Sequence, residues 1–456
     1  MTRRTFLGSA AAALPLAAAP EKRPNIVFIL CDDLGYGDLG CYGSTIRTPN
    51  LDRLGAEGVR FTNFDSADPV CSPSRAALLT GRYPTRVGVP RVFFPQDTNG
   101  LDLTETTLAN VAKAQGYKTA CFGKWHLGRP EPYLPTSRGF DHYFGIPYSN
   151  DMNPRVLLDG TKVVEQPAVL ESLTQRYTQH AVQFIRESAG SPFFLYLPHT
   201  FPHIPLAASV RFRGKSSQGL YGDVVEELDW SVGEVLQELK RHDLERDTLV
   251  FFSSDNGPWY QGSPGKLRGR KTTTYEGGVR EPFIARWPGR IPAGQVSDAV
   301  ASMLDVFPTV TRRIGGILPS KPLDGIDIWP LLTGEKKSIE RDALLYFDNW
   351  DLQCARWNQW KLHVARHNSS TYSAAPAGGR HNFVLPRPEL YNLALDPEEG
   401  YDVAPQHPEI VAQIQRQIEN LLAGFPEPVK QAYAESKARK VNPATPIGAR
   451  PQAASN

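Results

Sequence analysis

The sequence predicts an α/β protein: a large, mostly parallel sheet flanked by helices, followed by a smaller C-terminal α+β domain with a short antiparallel sheet. Three observations predict it. Apolar runs rich in β-branched residues alternate with stretches of helical period, the pattern of βαβ units. Four of those runs end in clusters of ionisable residues, as expected where the C-terminal ends of strands frame a ligand site. Past Gly334 the texture changes to short strand-like segments. Of the 456 residues, 41% are hydrophobic and 21% charged, which excludes wholesale disorder. Fifty Lys+Arg against 48 Asp+Glu leave a net charge of +2, so no global field favours nucleic acid or anionic membrane. Five cysteines without a CxxC pair make neither a disulfide scaffold nor a zinc ribbon. No apolar run reaches the ~18–20 residues of a transmembrane segment.

In chain order, residues 1–20 read as an export leader. Thr2-Arg3-Arg4-Thr5-Phe6-Leu7 precedes an Ala-rich stretch ending in small residues at Ala17 to Ala19, the form of a twin-arginine-type signal peptide. A disordered Ala-rich terminus is the alternative. Residues 21–335 form the large domain. Residues 25–30 (NIVFIL) are a strand buried on both faces, running into Cys31-Asp32-Asp33. A helix over 105–115 stops at Gly116, and a strand over 117–122 ends in Gly123-Lys124-Trp125-His126. A helix over 172–187 precedes a strand over 192–197, which ends just before His199 and His203. The helix over 221–240 is acidic early and basic late, matching its dipole. The strand over 248–253 delivers Asp255-Asn256-Gly257. The smaller domain spans 336–435, with strands at 343–347, 353–357 and 359–365 and a helix over 408–422. Residues 436–456 read as a loose tail.

Two adjacent carboxylates at a buried strand end repel one another and resist desolvation, so Asp32 and Asp33 require a counter-charge. Asp255 and Asn256 add a third carboxylate and an amide carbonyl, a donor set suited to a hard divalent cation. No Cys/His spacing typical of zinc accompanies them. Either doublet alone is ordinary turn chemistry; together, at two strand ends, they point to a metal. In Cys71-Ser72-Pro73-Ser74-Arg75, Ser72 suits a helix cap and Pro73 a first turn, with Gly81 as the stop. Cys71 then lies just ahead of a helix N-terminus, where backbone N–H groups favour an anion, and Arg75 is one turn in. A buried structural cysteine beside a capped helix is the plainer reading of that string alone.

The pentapeptide with the following AALLTGRYP resembles the signature of the type I sulfatases of the alkaline phosphatase superfamily. Further blocks resemble the family in family order. They are Asp32-Asp33-Leu34-Gly35-Tyr36-Gly37-Asp38, Gly123-Lys124-Trp125-His126-Leu127-Gly128, Gly139-Phe140-Asp141, Asp255-Asn256-Gly257 and Thr274-Tyr275-Glu276-Gly277-Gly278-Val279-Arg280. Leu390-Tyr391-Asn392-Leu393 and Asp396-Pro397-Glu398 resemble its C-terminal domain. Gly145-Ile146-Pro147-Tyr148-Ser149 and the Gly277–Arg280 stretch are most similar to the arylsulfatase A and N-acetylgalactosamine-6-sulfatase branch.

The resemblance implies a sulfuric ester hydrolase with an alkaline phosphatase-like fold. It implies that a maturation enzyme oxidises Cys71 to Cα-formylglycine, whose hydrate attacks sulfur with one hydroxyl and expels sulfate with the other. It further implies Ca²⁺ held by Asp32, Asp33, Asp255 and Asn256 together with position 71; Mg²⁺ is not separated from Ca²⁺ by the spacing. Arg75 is implied to stabilise the hydrate, Lys124 and Lys271 to neutralise sulfate, with Lys271 also near the leaving oxygen, and Ser149 to hydrogen-bond it. His126 is implied to deprotonate the second hydroxyl and His203 to protonate the leaving alcohol, with His199 the less favoured partner.

The implied substrate is a sulfated glycan of galactose or N-acetylgalactosamine type, with aryl sulfates as surrogates, met after folded export by the twin-arginine machinery to the periplasm or beyond. Arg91, Phe93, Phe94, Trp259, Tyr260 and Trp350 are candidates for the pocket rim, since aromatic faces suit sugars. A phosphonate or phosphate ester hydrolase of the same superfamily and an unconverted calcium-dependent glycan-binding protein are the competing readings. Cys31 and Cys121 end apolar strands and read as buried thiols; a Cys31–Cys41 disulfide after export is left open, and Cys354 has no assignment.

Overall fold

The structure, a computed structural model, describes residues 23–368 and 379–439. The expected leader and residues 440–456 of the expected tail lie outside the described residues. In chain order the main sheet contains β1 (Asn25–Asp32), β2 (Val59–Asp65), β3 (Lys118–Phe122), β4 (His142–Gly145), β5 (Leu157–Asp159) and β6 (Lys162–Glu165). Next come β7 (Phe193–Pro202), β8 (Thr248–Ser254), β9 (Arg280–Arg286), β10 (Gln295–Ser297) and β11 (Ala301–Ser302). Their spatial order is β10-β2-β9-β8-β1-β7-β3-β4-β5-β6, with β11 beside β2. The stretch β8-β1-β7-β3-β4 is parallel throughout, whereas β9 runs antiparallel to both β8 and β2.

The sequence of β1 explains its central place. All of its residues are buried, and successive side chains enter opposite cores: Ile26, Phe28 and Leu30 one, Val27, Ile29 and Cys31 the other. Helices Cys71–Thr80 and Val306–Arg313 contribute to the first core, Leu173–Ser188 and Gly219–Arg241 to the second. The strand expected to end at Leu197 runs on to Pro202, because its pairing with β1 continues past the apolar run. His199 is therefore inside the strand.

The helix at the pentapeptide begins at Cys71 itself, since the Ser74 N–H reaches the Val70 carbonyl at 3.2 Å. Ser72 is not its cap; the Ser72 hydroxyl accepts the Phe93 N–H instead. Gly81 does end the helix, in the left-handed region at φ 67°.

A second sheet is antiparallel and four-stranded, in the order β12 (Leu344–Asp348), β13 (Asp351–Trp357), β14 (Trp360–His367), β15 (Asn382–Asn392). Only β15 was not foreseen, because Pro386 and Pro388 interrupt its pattern; as an edge strand it tolerates them. Helix Pro408–Ala423 is followed by Glu427–Ala438, which packs Val429 into a third core. That core also takes in Ala77 and Tyr83, so the second sheet is seated against the helix that begins at Cys71. All five cysteines are free thiols, Cys31 and Cys121 among the buried ones.

Candidate active site

Strands β8, β1, β7 and β3 are consecutive and parallel, so their C-terminal ends open on the same edge. There they deliver Asp255 and Asn256, Asp32 and Asp33, His203, and Lys124 with His126. Gly123 makes the last placement possible: a Cβ there would sit 1.8 Å from the Pro198 carbonyl oxygen, which accepts the Lys124 N–H at 2.8 Å. The chain past β3 then pairs with 144–147 through the N–H groups of Gly123, Trp125 and His126, and that segment leads to Ser149. Asp33 and His126 both adopt positive φ, 66° and 63°. Such backbone costs of order 1–3 kcal/mol and persists only where its surroundings over-determine it.

The side chains form a continuous polar cluster. Arg75 donates to Asp255 Oδ2 from Nε at 2.9 Å and from a terminal nitrogen at 2.7 Å, and also to the Lys124 carbonyl at 2.8 Å. Lys124 Nζ is 2.5 Å from Asp32 Oδ2 and 3.3 Å from Ser149 Oγ. Lys271 Nζ is 2.7 Å from Asp33 Oδ1 and 3.3 Å from Cys71 Sγ. Cys71 Sγ is also 3.3 Å from Asp32 Oδ1. Asn256 Nδ2 donates to Asp33 Oδ1 at 2.8 Å. Arg75, Lys124, Asp32, Asp255 and Asn256 are 0% exposed, whereas Lys271 and His203 keep 5% and 6%. The last two therefore face the way in.

Three carboxylates are buried beside three cations. Burial alone would raise the Asp32 carboxyl, but Lys124, His203, Arg75 and Lys271 hold it well below the usual range. Asp255 goes the other way, to about 6, through burial and then the Asp32 charge. Burial and then Asp32 push the Cys71 thiol well above its ordinary value, so it is not a ready thiolate.

A hard cation suits this donor set. Asn256 Oδ1 is buried with no hydrogen-bond partner, and an unsatisfied buried carbonyl among carboxylates is what an oxygen-liganded ion would occupy. Ligand atoms of Asp32, Asp33, Cys71 and His203 also lie within 4.8 Å of one another.

The two histidines have assignable tautomers, because each has one ring nitrogen against a carbonyl that can only accept. His126 Nε2 donates to the Phe93 carbonyl at 2.9 Å, which leaves Nδ1 as a buried lone pair without a partner. Burial first, then Lys124 and Arg75, hold His126 well below its ordinary pKa, so it is neutral. His203 Nδ1 donates to the Ile204 carbonyl at 2.6 Å, and its Nε2 faces Ser149 Oγ at 3.5 Å and Asp33 at 3.7 Å. Burial and then Lys271 lower its pKa.

Residues 24–317 match the family model for sulfatases, and residues 339–453 match the model for the C-terminal region of aryl-sulfatases. The chain belongs to the sulfatase family. It is a sulfuric ester hydrolase. The sulfatase is 39% identical to human arylsulfatase A over 89% of each chain. It is 41% identical to the N-acetylgalactosamine-6-sulfatase of the dog, over 79% of this chain and 75% of that one. It also superposes with a TM-score of 0.79, at 29% identity, on a structure from work on glycosaminoglycan metabolism by Bacteroides thetaiotaomicron, covering 88% of this chain and 99% of that one.

In the sulfatase, Asp32, Asp33, Cys71, Arg75, Lys124, Ser149, His203, Asp255, Asn256 and Lys271 are joined by direct contacts, and His126 stands beside them through Phe93. His199 does not join; its Nε2 meets Ser231 Oγ of the helix Gly219–Arg241 at 3.2 Å. Of the expected rim, Phe93 is buried in the core, because its backbone is tied to both Ser72 and His126. Phe94 and Tyr260 are exposed, at 43% and 73%. Arg91 is held by Asp97, and Trp350 packs against the third core.

Sequence reasoning missed Asn150, fully buried, whose amide donates to the carbonyls of His203 and Pro205 and so fixes the turn after β7. It also missed Glu281, a buried carboxyl raised by burial and then by Asp255, with neither oxygen hydrogen-bonded. A lone acid in the apolar run of β9 was the available signal.

Proposed function

We propose that the sulfatase releases inorganic sulfate from a sulfated carbohydrate of galactose or N-acetylgalactosamine type, with Cys71 converted to Cα-formylglycine. One observation carries this reading. The side chain at position 71 starts a helix, contacts both Asp32 and Lys271, and is surrounded by three buried cations. The unconverted thiol is held protonated by burial and Asp32, so conversion would supply the nucleophile that the cysteine cannot. Asp32, Asp33, Asp255 and Asn256, with the group at position 71, would hold Ca²⁺, whose charge would polarise sulfate oxygens and acidify the attacking hydroxyl.

The remaining residues act through their own atoms. Lys124 Nζ and Ser149 Oγ, 3.3 Å apart, would hold one side of the sulfate and Lys271 the other, where its ammonium would also stand near the leaving oxygen. Arg75 keeps Asp255 ionised and oriented. His203, with Nδ1 committed to Ile204, can carry a proton to the leaving alcohol only on Nε2, the nitrogen that faces the cluster. His126, neutral and with an unpartnered Nδ1, is built to take a proton.

A sugar substrate is supported by the names of the relatives and by the exposed Tyr260 packed edge-on against Trp259, ring centroids 4.9 Å apart. Aryl sulfates would serve as surrogates. Folded export through the twin-arginine route accords with a cysteine that must be modified before it is buried. The test is the mass of the tryptic peptide 61–75 from protein made in a host that matures sulfatases, followed by sulfate release from a panel of sulfated sugars and a comparison of aryl sulfates with phosphate esters. An aldehyde at position 71 with sulfate release supports the reading; fully converted protein that releases no sulfate overturns it.

A further inference from the structure

Lys271 lies on a loop that the main sheet does not hold alone. Its N–H donates to the Pro258 carbonyl, and that of Thr272 donates to Pro69, two residues before Cys71. On either side of these bonds the loop is gripped by the second sheet and the loop that follows β15. Arg268 donates to the Glu399 carbonyl at 2.8 Å and lies 4.1 Å over the Tyr275 ring. Tyr275 in turn stacks on His363 with ring centroids 4.8 Å apart. The Glu276 N–H donates to Glu399 Oε2 at 2.6 Å, and Glu276 Oε1 takes Lys361 Nζ at 2.8 Å. His363 Nε2 completes the clamp at 2.7 Å from Glu399 Oε1. Glu276, Lys361, His363 and Glu399 are all buried, between 0% and 1% exposed.

Between the two grips the loop has no slack. Thr272, β-branched, sits at φ 73°, and on the gripping side Glu399 sits at φ 52°. A β-branched residue in that region is a genuine outlier, retained only where several contacts dictate it. A Cβ on Gly278 would lie 1.9 Å from the Thr273 carbonyl oxygen, so the loop cannot shift toward the short helix Glu276–Val279 either.

We propose that Glu399 and Lys361 are positioning residues: from the loop after β15 and from β14 they set where Lys271 stands relative to the leaving oxygen. The role of Lys271 proposed above is the premise. A cation at the leaving oxygen matters most when the departing alcohol is a poor anion, so displacing it steepens the dependence of rate on leaving-group pKa. Loss of folded or converted protein scales every substrate equally and leaves that dependence unchanged.

The experiment compares kcat/KM for 4-nitrophenyl and unsubstituted phenyl sulfate in full-length Glu399→Gln, Lys361→Met, Lys271→Ala and the Glu399→Gln/Lys271→Ala double variant. The nitrophenyl-to-phenyl ratio should rise about tenfold in each positioning variant and further in Lys271→Ala, in keeping with the cost of a sub-ångström misplacement. It should rise no further in the double variant, since both changes act through one group. A wild-type ratio in Glu399→Gln and Lys361→Met beside a raised ratio in Lys271→Ala overturns the positioning role alone. A wild-type ratio in Lys271→Ala removes Lys271 from the leaving oxygen, and the positioning role with it.

Discussion

Two buried ionic clusters of nearly the same composition lie in this protein, and they behave differently. At the strand ends, Asp32, Asp33 and Asp255 meet Arg75, Lys124 and Lys271. Under the second sheet, Asp65, Glu276 and Glu399 meet Arg280, Arg356 and Lys361, with His363. In the second cluster every carboxylate oxygen is matched inside the protein. Asp65 takes Arg356 and Tyr346, Glu276 takes Lys361 and Arg280, and Glu399 takes His363 and a backbone N–H. The first cluster leaves acceptors over, Asn256 Oδ1 and His126 Nδ1, and strains Asp33 and His126 to do so. A closed network specifies how two sheets dock; one with acceptors to spare is ready to receive a ligand and a proton.

The sharpest break in that comparison is chemical. Cys71→Ser should lower kcat on an aryl sulfate by about 10⁴-fold or more, as loss of a nucleophile does, while circular dichroism stays that of the wild type. The matching change in the closed cluster should act on stability. Arg356→Met strands the buried Asp65 carboxylate with Tyr346 alone, and urea denaturation should show a loss of about 3–5 kcal/mol.

The closed cluster should also govern behaviour in acid. Burial would raise Glu276, but Arg280, Lys361 and Arg356 hold it well below the ordinary 4.5. Its contribution is therefore present above that value and lost as the pH falls below it. The urea midpoint should drop on acidification below about pH 4.5, and Glu276→Gln should flatten the drop.

A smaller effect separates the clusters by metal. Added Ca²⁺ at 100 times its Kd should stabilise the wild type by about 2.7 kcal/mol, read as a rise in Tm. Asn256→Ala should abolish that rise and Arg356→Met should keep it. Smallest of all, Tyr260→Ala at the exposed rim should change stability by no more than about 0.5 kcal/mol while raising KM for a sulfated sugar more than for 4-nitrophenyl sulfate; equal effects on the two would take Tyr260 out of sugar contact.

Much of the site was legible because local sequence carries it. The apolar run of β1 could only be a buried strand, and the acids directly after it had to meet countercharge. Gly81 marked a helix stop, whereas the close approach at Gly123 showed only in the structure. The cap assigned to Ser72 failed because its hydroxyl was claimed by Phe93, 21 residues on, and β15 was hidden by prolines that an edge position excuses.

The residue types at the strand ends, their order and the family they resemble were thus determined by the sequence itself. Only the tertiary structure decided which acceptors remain unmatched, which nitrogen of each histidine bears its proton, and that the second sheet grips the Lys271 loop. The reason is range. Strand, turn and cap preferences act over a few residues, whereas Asp33 meets Asp255 across 222 residues, Lys271 meets Cys71 across 200 and Glu276 meets Glu399 across 123. Contacts of that separation are set by how whole layers pack.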